Sequence, residues 1–338
     1  MTHSDFDNEM MARAIALAKS VDLVRDKNPR VGAVVVSAAG EVIGEGWHAG
    51  SGSDHAEVMA LHQADGLATG STVYTTLEPC ASTGVKGPCT HALISAGVTR
   101  VVYGQSDPNQ AMAGGAAALA TSGVEVTSGV LLEECVSLNP TWTFAQINNR
   151  PWVIWKTATS LDGFVASVDG TSKWITSEES REVVQEIRAS VGAILTGTGT
   201  VLIDDPLMTA RHLSDYQQPL RLVLGQRKIP SESRILAGPN PGAVTHGDLA
   251  QVLNSLFTEH GIHRVLIEAG PGLSRSAWNQ GLVDEVFWFQ APIIIGQGHG
   301  VLGDIGVNSL DQARKFSNYE VTRVGLDLLV HFSTHQGG

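Results

Sequence analysis

Apolar residues in the first third of the chain recur with two spacings, one typical of helices and one typical of strands. Met11, Ala14, Ile15 and Ala18 lie three or four positions apart and predict an amphipathic first helix. Shorter apolar runs bounded by glycine and polar residues predict strands, and helical spacing returns between them. This alternation favours a three-layer α/β domain. The expected strands are 31–36, 41–46, 72–76 and 100–103, the expected helices are 55–64 and 89–96, and a helix end and a short strand are expected within 119–126.

A second α/β series begins after residues 148–151, Asn-Asn-Arg-Pro, where the pattern is interrupted. One connecting helix, 131–147, is expected before this interruption. No internal repeat relates the two halves of the chain, so we expect two different domains, 1–147 and 150–338. In the second domain, strands are expected at 152–156, 193–196, 220–224, 264–268 and 285–291, and a helix is expected at 177–190.

The composition supports folded domains and argues against binding to polyanions. Of the 338 residues, 43% are hydrophobic and 17% are charged, which provides apolar material for packed cores. The 22 basic and 34 acidic residues give a net charge of −12, so the overall electrostatic field opposes nucleic acid. We therefore expect small-molecule substrates and no nucleic-acid partner.

Cysteine usage and the apolar runs indicate a cytoplasmic protein without a membrane segment. Three cysteines in a chain of this length are too few for a disulfide framework and suit a reducing compartment. The acidic amino terminus lacks the basic and apolar regions of a signal peptide. The apolar runs are far shorter than the roughly 20 residues that span a bilayer.

One group of residues in the first domain has the chemistry of a metal site. His55-Ala56-Glu57 lies where a loop meets a predicted helix, and Cys80 and Cys89 follow it in the chain. One imidazole and two thiolates suit zinc, and three protein ligands leave a fourth position for water. A carboxylate beside that position, Glu57, could take a proton from the water and return it to a leaving amine.

Taken separately, these residues have a simpler interpretation. A single histidine or cysteine more often packs in a core than binds a metal, and Cys135 is interpreted here as a buried thiol. Taken together, the order H-A-E, E-P-C and P-C is the zinc-deaminase signature. The combined pattern therefore predicts a metal site formed by His55, Cys80 and Cys89.

These motifs resemble the cytidine and deoxycytidylate deaminase superfamily, with one difference. That superfamily usually places two residues between its cysteines, whereas this chain places eight between Cys80 and Cys89. The longer spacing resembles the deaminase half of the bifunctional riboflavin-biosynthesis deaminase–reductases. That resemblance implies a cytidine-deaminase-like three-layer αβα domain with a pyrimidine substrate. It also implies substrate contacts from Asn28, His48, Asp107 and Asn109.

The loop between the cysteines departs from the pattern of that family. Ser82 stands at the position usually held by histidine, and Val85 stands at the basic position expected near the substrate phosphate. Lys86, one residue further on, is assigned here as the substitute. The zinc ligands and Glu57 are unaffected by this change.

The second half carries glycine, threonine and serine at the ends of predicted strands. Gly197-Thr198-Gly199-Thr200 does not match the G-x-G-x-x-G dinucleotide fingerprint, so a Rossmann fold is not indicated. Such residues let backbone amides approach a phosphate, and Arg188 and Arg211 suit a phosphate ester. The alternative interpretation is turns for the glycines and a solvated surface for the arginines.

The second half also resembles the reductase half of the same bifunctional family. This resemblance implies a dihydrofolate-reductase-like α/β domain that uses NADPH. Trp174 could equally pack in the core, but its position after Ser172 favours a cofactor wall. The implied cofactor contacts are Ala158, Trp174, Thr200, Asp204, Gly270, Pro271 and Gly272. The implied substrate contacts are Lys156, Asp162, Ser172, Arg188, Met208, Arg211 and Glu268.

Together the two halves predict a two-step enzyme of riboflavin biosynthesis that uses zinc and NADPH. The resemblance further implies a homo-oligomer. Two alternatives remain open at this point. A nucleic-acid-editing deaminase would require a basic groove and no reductase half, and a degenerate deaminase domain could serve as a structural module for an active reductase. The presence of Glu57 and all three ligands argues against the second alternative.

Overall fold

The fold was analysed in a computed structural model that describes residues 3–23, 25–82, 87–238 and 240–335. The chain divides into two compact units, Met1–Asn148 and Asn149–Gly338, which are described separately. No helix in the described ranges is long and apolar enough to cross a membrane.

Unit 1 is built on a mixed sheet with the strand order β2-β1-β3-β4-β5. β1 runs antiparallel to both β2 and β3, and β4 runs parallel to β3 and β5. The strands are β1 (Gly32–Val36), β2 (Val42–Trp47), β3 (Thr72–Leu77), β4 (Arg100–Gln105) and β5 (Glu125–Ser128). The helices are α1 (Asp5–Lys19), α2 (Ala56–Gln63), α3 (Cys89–Ser95), α4 (Gly115–Thr121), α5 (Leu132–Leu138) and α6 (Pro140–Asn148).

The two faces of this sheet are covered by different helices. Side chains alternate along a strand, so Ala33 and Val35 of β1 face one side while Val34 and Val36 face the other. The first pair packs in the core formed with α2 and α3, and the second pair packs in the core formed with α1 and α5. The expected three-layer α/β arrangement is confirmed.

The prediction of a single connecting helix at 131–147 is wrong, because the structure contains two helices, α5 and α6, that meet at Asn139. Pro140 disfavours helical geometry in the residue before it, and Asn139 has left the helical region (φ −135°, ψ 53°). The Asn139 side chain instead bonds the chain leading into β1. Its Nδ2 donates to the Arg30 carbonyl oxygen at 2.8 Å, and its Oδ1 accepts from the Arg30 amide at 2.7 Å.

Unit 2 is built on a larger sheet with the order β10-β9-β8-β11-β6-β12-β15-β14, beside a short β7–β13 pair. The six strands from β10 to β12 are parallel, and β15 and β14 are antiparallel additions. The strands are β6 (Trp152–Ser160), β7 (Phe164–Ser167), β8 (Ala193–Gly197), β9 (Leu220–Leu224), β10 (Ala243–Thr245), β11 (Arg264–Ile267), β12 (Glu285–Ala291), β13 (Gly298–Gly300), β14 (Tyr319–Val324) and β15 (Asp327–Ser333). The helices are α7 (Glu178–Ala189), α8 (Thr198–Asp204), α9 (Leu249–Thr258) and α10 (Pro271–Asn279).

Both faces of this sheet are buried around the middle of β6. Val153 and Trp155 lie in the core that includes α9 and α10, and Ile154 lies in the core that includes α7. Because parallel strands end at the same edge of the sheet, the loops after β6, β8, β9 and β11 gather on one side of unit 2. Most of the predicted cofactor and substrate contacts of the second half of the chain lie at this edge.

Candidate active sites

Three potential metal ligands of unit 1 converge in the structure. His55 precedes α2, Cys80 follows β3, and Cys89 opens α3. The His55 Nδ1 lies 3.1 Å from the Cys89 Sγ and 3.6 Å from the Cys80 Sγ. The three ligand atoms all lie within 4.8 Å of one another, and in the described part of the chain this is the one such group found.

Close packing of α2 on β2 fixes the position of His55 and Glu57. A side chain at Gly46 would overlap the carbonyl oxygen of Ala56, so the start of the helix can approach the strand only because this position lacks a Cβ. His55 is the last extended residue before the helix (φ −70°, ψ 155°), and Glu57 lies in the first turn. His55 and Glu57 are two positions apart in the chain, and this geometry lets both side chains face one point beyond the end of the helix.

The electrostatics of this cluster distinguish its members. Burial raises the pKa of Glu57 to about 6. Hydrogen bonds from the Cys89 thiol and from His55 lower the pKa of Cys80. The Cys89 amide also donates to the Cys80 Sγ at 3.2 Å. The site thus combines a thiol that ionises readily with a buried carboxyl that can hold or release a proton near neutral pH.

This donor set fits zinc. A nitrogen and two sulfur atoms converge from three separate elements, and thiolates of this kind are favoured by a borderline-soft cation. Three protein ligands correspond to a catalytic zinc site, in which a fourth position is open to water. Glu57 is 4% exposed and lines the adjoining cavity, where such a water would lie.

The adjoining cavity has a volume of about 130 Å³ and gathers residues from across unit 1. Asn28, His48, Asp107 and Asn109, the described members of the predicted deaminase substrate set, all line it. The Asn28 Nδ2 lies 3.2 Å from the His48 Nε2. Glu78, the glutamate of the E-P-C element, also lines it, and further lining residues that the sequence did not indicate include Lys27, Met112, Trp142 and Gln146.

Glu78 anchors the loop that carries Asp107. Its two carboxylate oxygens accept from the amides of Asp107 at 3.2 Å and Ala116 at 3.0 Å. Asp107 in turn accepts from the Asn109 amide at 2.8 Å. Burial, with the nearby negative charges of Glu78 and Cys80, raises the pKa of Asp107 to about 6. The loop is therefore held by side-chain-to-backbone hydrogen bonds.

Two positions of the inter-cysteine loop, Val85 and Lys86, lie outside the described residues. Ser82, which stands at the usual histidine position, donates a hydrogen bond from its Oγ to the Met112 Sδ at 2.9 Å. The assignment of Lys86 to the substrate phosphate therefore stays a prediction.

A second cavity, of about 1000 Å³, opens along the carboxyl edge of the large sheet in unit 2. All seven predicted cofactor residues line it, together with six of the seven predicted reductase substrate residues. The lining set comprises Ala158, Trp174, Thr200, Asp204, Gly270, Pro271, Gly272, Lys156, Ser172, Arg188, Met208, Arg211 and Glu268.

Glu268 is the electrostatic centre of this cleft. Arg188 donates to both of its carboxylate oxygens at 2.9 Å, and the Lys156 Nζ lies 3.6 Å from one of them. Burial alone would raise the pKa of Glu268, but the charges of Arg188 and Lys156 outweigh it and lower the pKa to about 2. The guanidinium of Arg188 is therefore committed to Glu268, with further bonds to the Thr209 carbonyl at 3.1 Å and the Met208 Sδ at 3.5 Å. Arg211, whose exposed side chain pairs only with Glu182 at 3.3 Å among the described residues, is more accessible to a phosphate.

The rest of the cleft combines an exposed aromatic wall with glycine-rich turns. Trp174 is 72% exposed, so it belongs to the surface of the cleft and not to the core. The Arg181 guanidinium lies 4.5 Å from the centre of its ring, a cation–π contact that the sequence did not indicate. The Gly270 amide donates to the Thr200 Oγ1 at 3.1 Å, which ties the turn after β11 to α8. These glycine turns and the exposed aromatic wall fit an extended dinucleotide such as NADPH.

Asp162 is the one predicted site residue of this half that does not line the cleft. It lies on the turn after β6, and its carboxylate accepts from the amides of Ile295 at 3.1 Å and Gly296 at 2.7 Å. The bond from Ser160 and these amides lower the pKa of Asp162 to about 2. Asp162 therefore holds a neighbouring loop in this structure, and its expected substrate contact stays a prediction.

Two protein families match the chain, one in each of the units that hold the two sites. Residues 4–105 match the cytidine and deoxycytidylate deaminase zinc-binding region. Residues 151–330 match the RibD C-terminal domain. The metal cluster lies within the first match and the Glu268 cleft within the second.

Similar proteins cover nearly the whole chain. The riboflavin biosynthesis protein RibD of Mycobacterium tuberculosis is 41% identical over 96% of both chains. The RibD of Escherichia coli is 35% identical over 96% of this chain and 98% of its own. Among solved structures, RibD of Acinetobacter baumannii matches with a TM-score of 0.85 and 35% identity, covering 98% of this chain and 99% of its own. A diaminohydroxyphosphoribosylaminopyrimidine deaminase/5-amino-6-(5-phosphoribosylamino)uracil reductase of Thermotoga maritima matches with a TM-score of 0.74 and 32% identity, covering 96% of this chain and 98% of its own.

Proposed function

The chain belongs to the RibD family of bifunctional riboflavin-biosynthesis enzymes, and from this membership we propose which of its residues perform the two reactions. It is a zinc-dependent deaminase and an NADPH-dependent reductase. The expected order of folds, a cytidine-deaminase-like domain before a dihydrofolate-reductase-like domain, is confirmed. The finer assignments below are proposals for this chain.

In unit 1, the proposed substrate is 2,5-diamino-6-(5-phosphoribosylamino)pyrimidin-4-one. His55, Cys80 and Cys89 would hold zinc, which when bound supplies the Lewis acidity that activates a water for attack on the amine-bearing carbon. The observation that carries this assignment is the convergence of the three ligand atoms beside a buried carboxyl. The same convergence favours an active deaminase over a degenerate structural domain.

Glu57 is the residue that moves the proton in this proposal. Its carboxylate takes a proton from the attacking water and gives it to the departing amine nitrogen, which leaves as ammonia. A pKa raised to about 6 by burial suits both steps, because the proton is held and released near neutral pH. Asn28, His48, Asp107 and Asn109, which all line the pocket, orient the pyrimidine and its ribose in this proposal.

In unit 2, the proposed substrate is the deaminated product, 5-amino-6-(5-phosphoribosylamino)uracil. NADPH, when bound, supplies the hydride that reduces the ribose C1 and yields the open ribityl chain. Trp174, Thr200 and the turn at Gly270–Gly272 would hold the cofactor, together with Ala158 and Asp204. Lys156, Arg188 and Glu268 form the charged floor against which the ribose would lie, and Ser172, Met208 and Arg211 complete the substrate wall.

We place the enzyme in the cytoplasm as a homo-oligomer. The three described cysteines are free, and zinc ligation requires Cys80 and Cys89 in reduced form, which a reducing compartment maintains. Self-association is supported by β14, the last strand in the order of the large sheet, where Tyr319 and Val321 are more than half exposed.

Each reaction can be tested on the purified protein with its own substrate. The diaminopyrimidine phosphate should release one ammonia per molecule, and chelation should stop the release until zinc is restored. The deaminated uracil phosphate should oxidise NADPH at a rate that chelation leaves unchanged. Absence of ammonia release from the zinc-loaded protein would contradict the first assignment, and absence of NADPH oxidation would contradict the second.

A further inference from the structure

The deaminase pocket is acidic, although its proposed substrate carries a phosphate. Glu57, Glu78 and Asp107 all line this small cavity. A phosphate ester brings between one and two further negative charges at neutral pH. Binding of the phosphorylated substrate therefore requires a cation close to the pocket, to offset repulsion by the carboxylates.

Lys27 is the one lysine or arginine among the described residues that line this pocket. Its side chain is exposed, and it makes no hydrogen bond or ion pair with any described residue. The ammonium group is therefore available for a ligand. Arg30, on the same segment, is committed to the Leu138 carbonyl.

Both neighbours of Lys27 are fixed by hydrogen bonds. The Asp26 carboxylate accepts from the amides of Asn28 at 2.9 Å and Ser51 at 3.0 Å. Asn28 in turn bonds His48 inside the pocket. The backbone at Lys27 is thus held beside two proposed substrate contacts, while its long side chain stays free to reach the edge of the cavity.

We propose that Lys27 binds the phosphate of the deaminase substrate and thereby selects the phosphorylated pyrimidine over the corresponding riboside. The proposal rests on the proposed deaminase function. It also fits a chain that has valine at position 85, where the resemblance to the deaminase–reductase family implies a basic residue. Because Lys27 does not touch the reacting carbon in this scheme, it should affect KM and leave kcat largely unchanged.

The test compares two substrates across matched variants. For the phosphorylated substrate, Lys27→Ala should raise KM about tenfold, a typical loss for one charge-assisted contact. For the riboside, the same variant should change KM less than twofold. Lys27→Arg should retain most of the affinity, because it keeps the charge. Lys19→Ala, which removes one exposed charge from the end of α1, should match the parent protein on both substrates.

A binding measurement provides a readout independent of turnover. In a Glu57→Gln background, calorimetry should show about tenfold weaker binding of the phosphorylated substrate when Lys27 is replaced by alanine. Added salt should weaken binding to the parent protein more than binding to the Lys27 variant, because screening acts on the ion pair.

Two outcomes would overturn the proposal. Equal losses for the phosphorylated substrate and the riboside would mean that Lys27 only supports the loop. A loss on Lys86→Ala with none on Lys27→Ala would place the phosphate at the inter-cysteine loop. Failure of the proposed deaminase function would be distinct from both, since the parent protein would then release ammonia from neither substrate.

Discussion

At the scale of single residues, Glu57 separates the two activities. Glutamine has nearly the same shape but cannot take and return a proton, so Glu57→Gln should lower the rate of ammonia release by about 10³-fold. NADPH oxidation with the deaminated uracil phosphate should remain within twofold of the parent value. Zinc content, measured by mass spectrometry, should stay at one ion per chain, which excludes loss of the metal as the cause. Equal loss of both activities would contradict the division of labour between the two units.

The residues that sequence motifs could locate differ from those that only the fold assembles. His55, Glu57, Cys80 and Cys89 lie in short motifs, and the ends of helices and strands bring them together. Trp142 and Gln146 reach the same pocket from α6, far along the chain. No local pattern marks them, because a tryptophan and a glutamine on a helix are common without any binding role. Their contribution depends on where α6 packs.

At the scale of elements, the close approach of α2 to β2 positions the catalytic machinery. Gly46→Ala would place a methyl group against the Ala56 carbonyl and push the start of α2 away from the sheet. We expect this variant to lose at least half of its bound zinc and more than tenfold in deaminase rate, with unchanged reductase activity. Gly300→Ala is the matched control, since an added Cβ there meets open space. Normal zinc content in Gly46→Ala would show that the helix position is not decisive.

The amino-terminal helix α1 is tied to the sheet by a partly buried ion pair whose strength depends on pH. Asp7 accepts from Arg100 at 2.8 and 3.1 Å and from the Tyr74 hydroxyl at 2.8 Å. The bond from Arg100 is the main cause that lowers the pKa of Asp7 from 3.8 to about 2. A carboxyl group whose pKa is lower in the folded than in the unfolded protein stabilises the fold at pH values above its unfolded pKa. This contribution disappears as the pH falls through the folded pKa. The stabilisation should therefore be complete above about pH 5, reduced near pH 3 and absent below about pH 1.

Urea unfolding of Asp7→Asn tests this account. At pH 7 the free energy of unfolding of the variant should be about 2 kcal/mol lower than that of the parent protein. The reason is that the variant lacks the carboxyl group whose pKa is lowered by nearly two units on folding. At pH 3 the difference should shrink to roughly half. Asp5→Asn, an exposed carboxyl in the first turn of the same helix, serves as the control and should change little. A pH-independent difference for Asp7→Asn would contradict the assigned ion pair.

The elements that the sequence predicted were those with strong local periodicity. β1, α2 and α7 fall close to their expected bounds, because β1 is a continuous apolar run and the apolar positions of the two helices recur at helical spacing. α5 and α6 were expected as one helix, since the periodicity continues through Asn139 and only the following proline breaks it. β14 was not expected at all. Its residues are exposed, so its position is set by pairing with β15 and not by an apolar pattern of its own.

At the scale of the whole molecule, each proposed site is assembled from residues of one unit. The metal cluster and its pocket use residues 27–146, and the Glu268 cleft uses residues 156–299. Inactivating one site should therefore leave the other intact. Glu268→Gln would leave the charges of Arg188 and Lys156 without their carboxylate partner and should lower the reductase rate by about 100-fold.

A mixture of the two inactive proteins tests this independence. Glu57→Gln alone and Glu268→Gln alone should each fail to convert the diaminopyrimidine phosphate to the ribityl product. Mixed in equal amounts, they should restore the conversion, because the uracil formed by one protein can be reduced by the other. Ammonia release from the mixture without ribityl product would mean that the intermediate does not pass between molecules, and would contradict this prediction.

The most direct test of the central claim, that this chain performs deamination followed by reduction, is the ratio of ammonia released to NADPH oxidised. The zinc-loaded protein is supplied with the diaminopyrimidine phosphate and excess NADPH, and both quantities are followed to completion. We predict a final ratio of one to one, with ammonia appearing before NADPH is consumed. NADPH oxidation without ammonia release, or no reaction of either kind, would contradict the account.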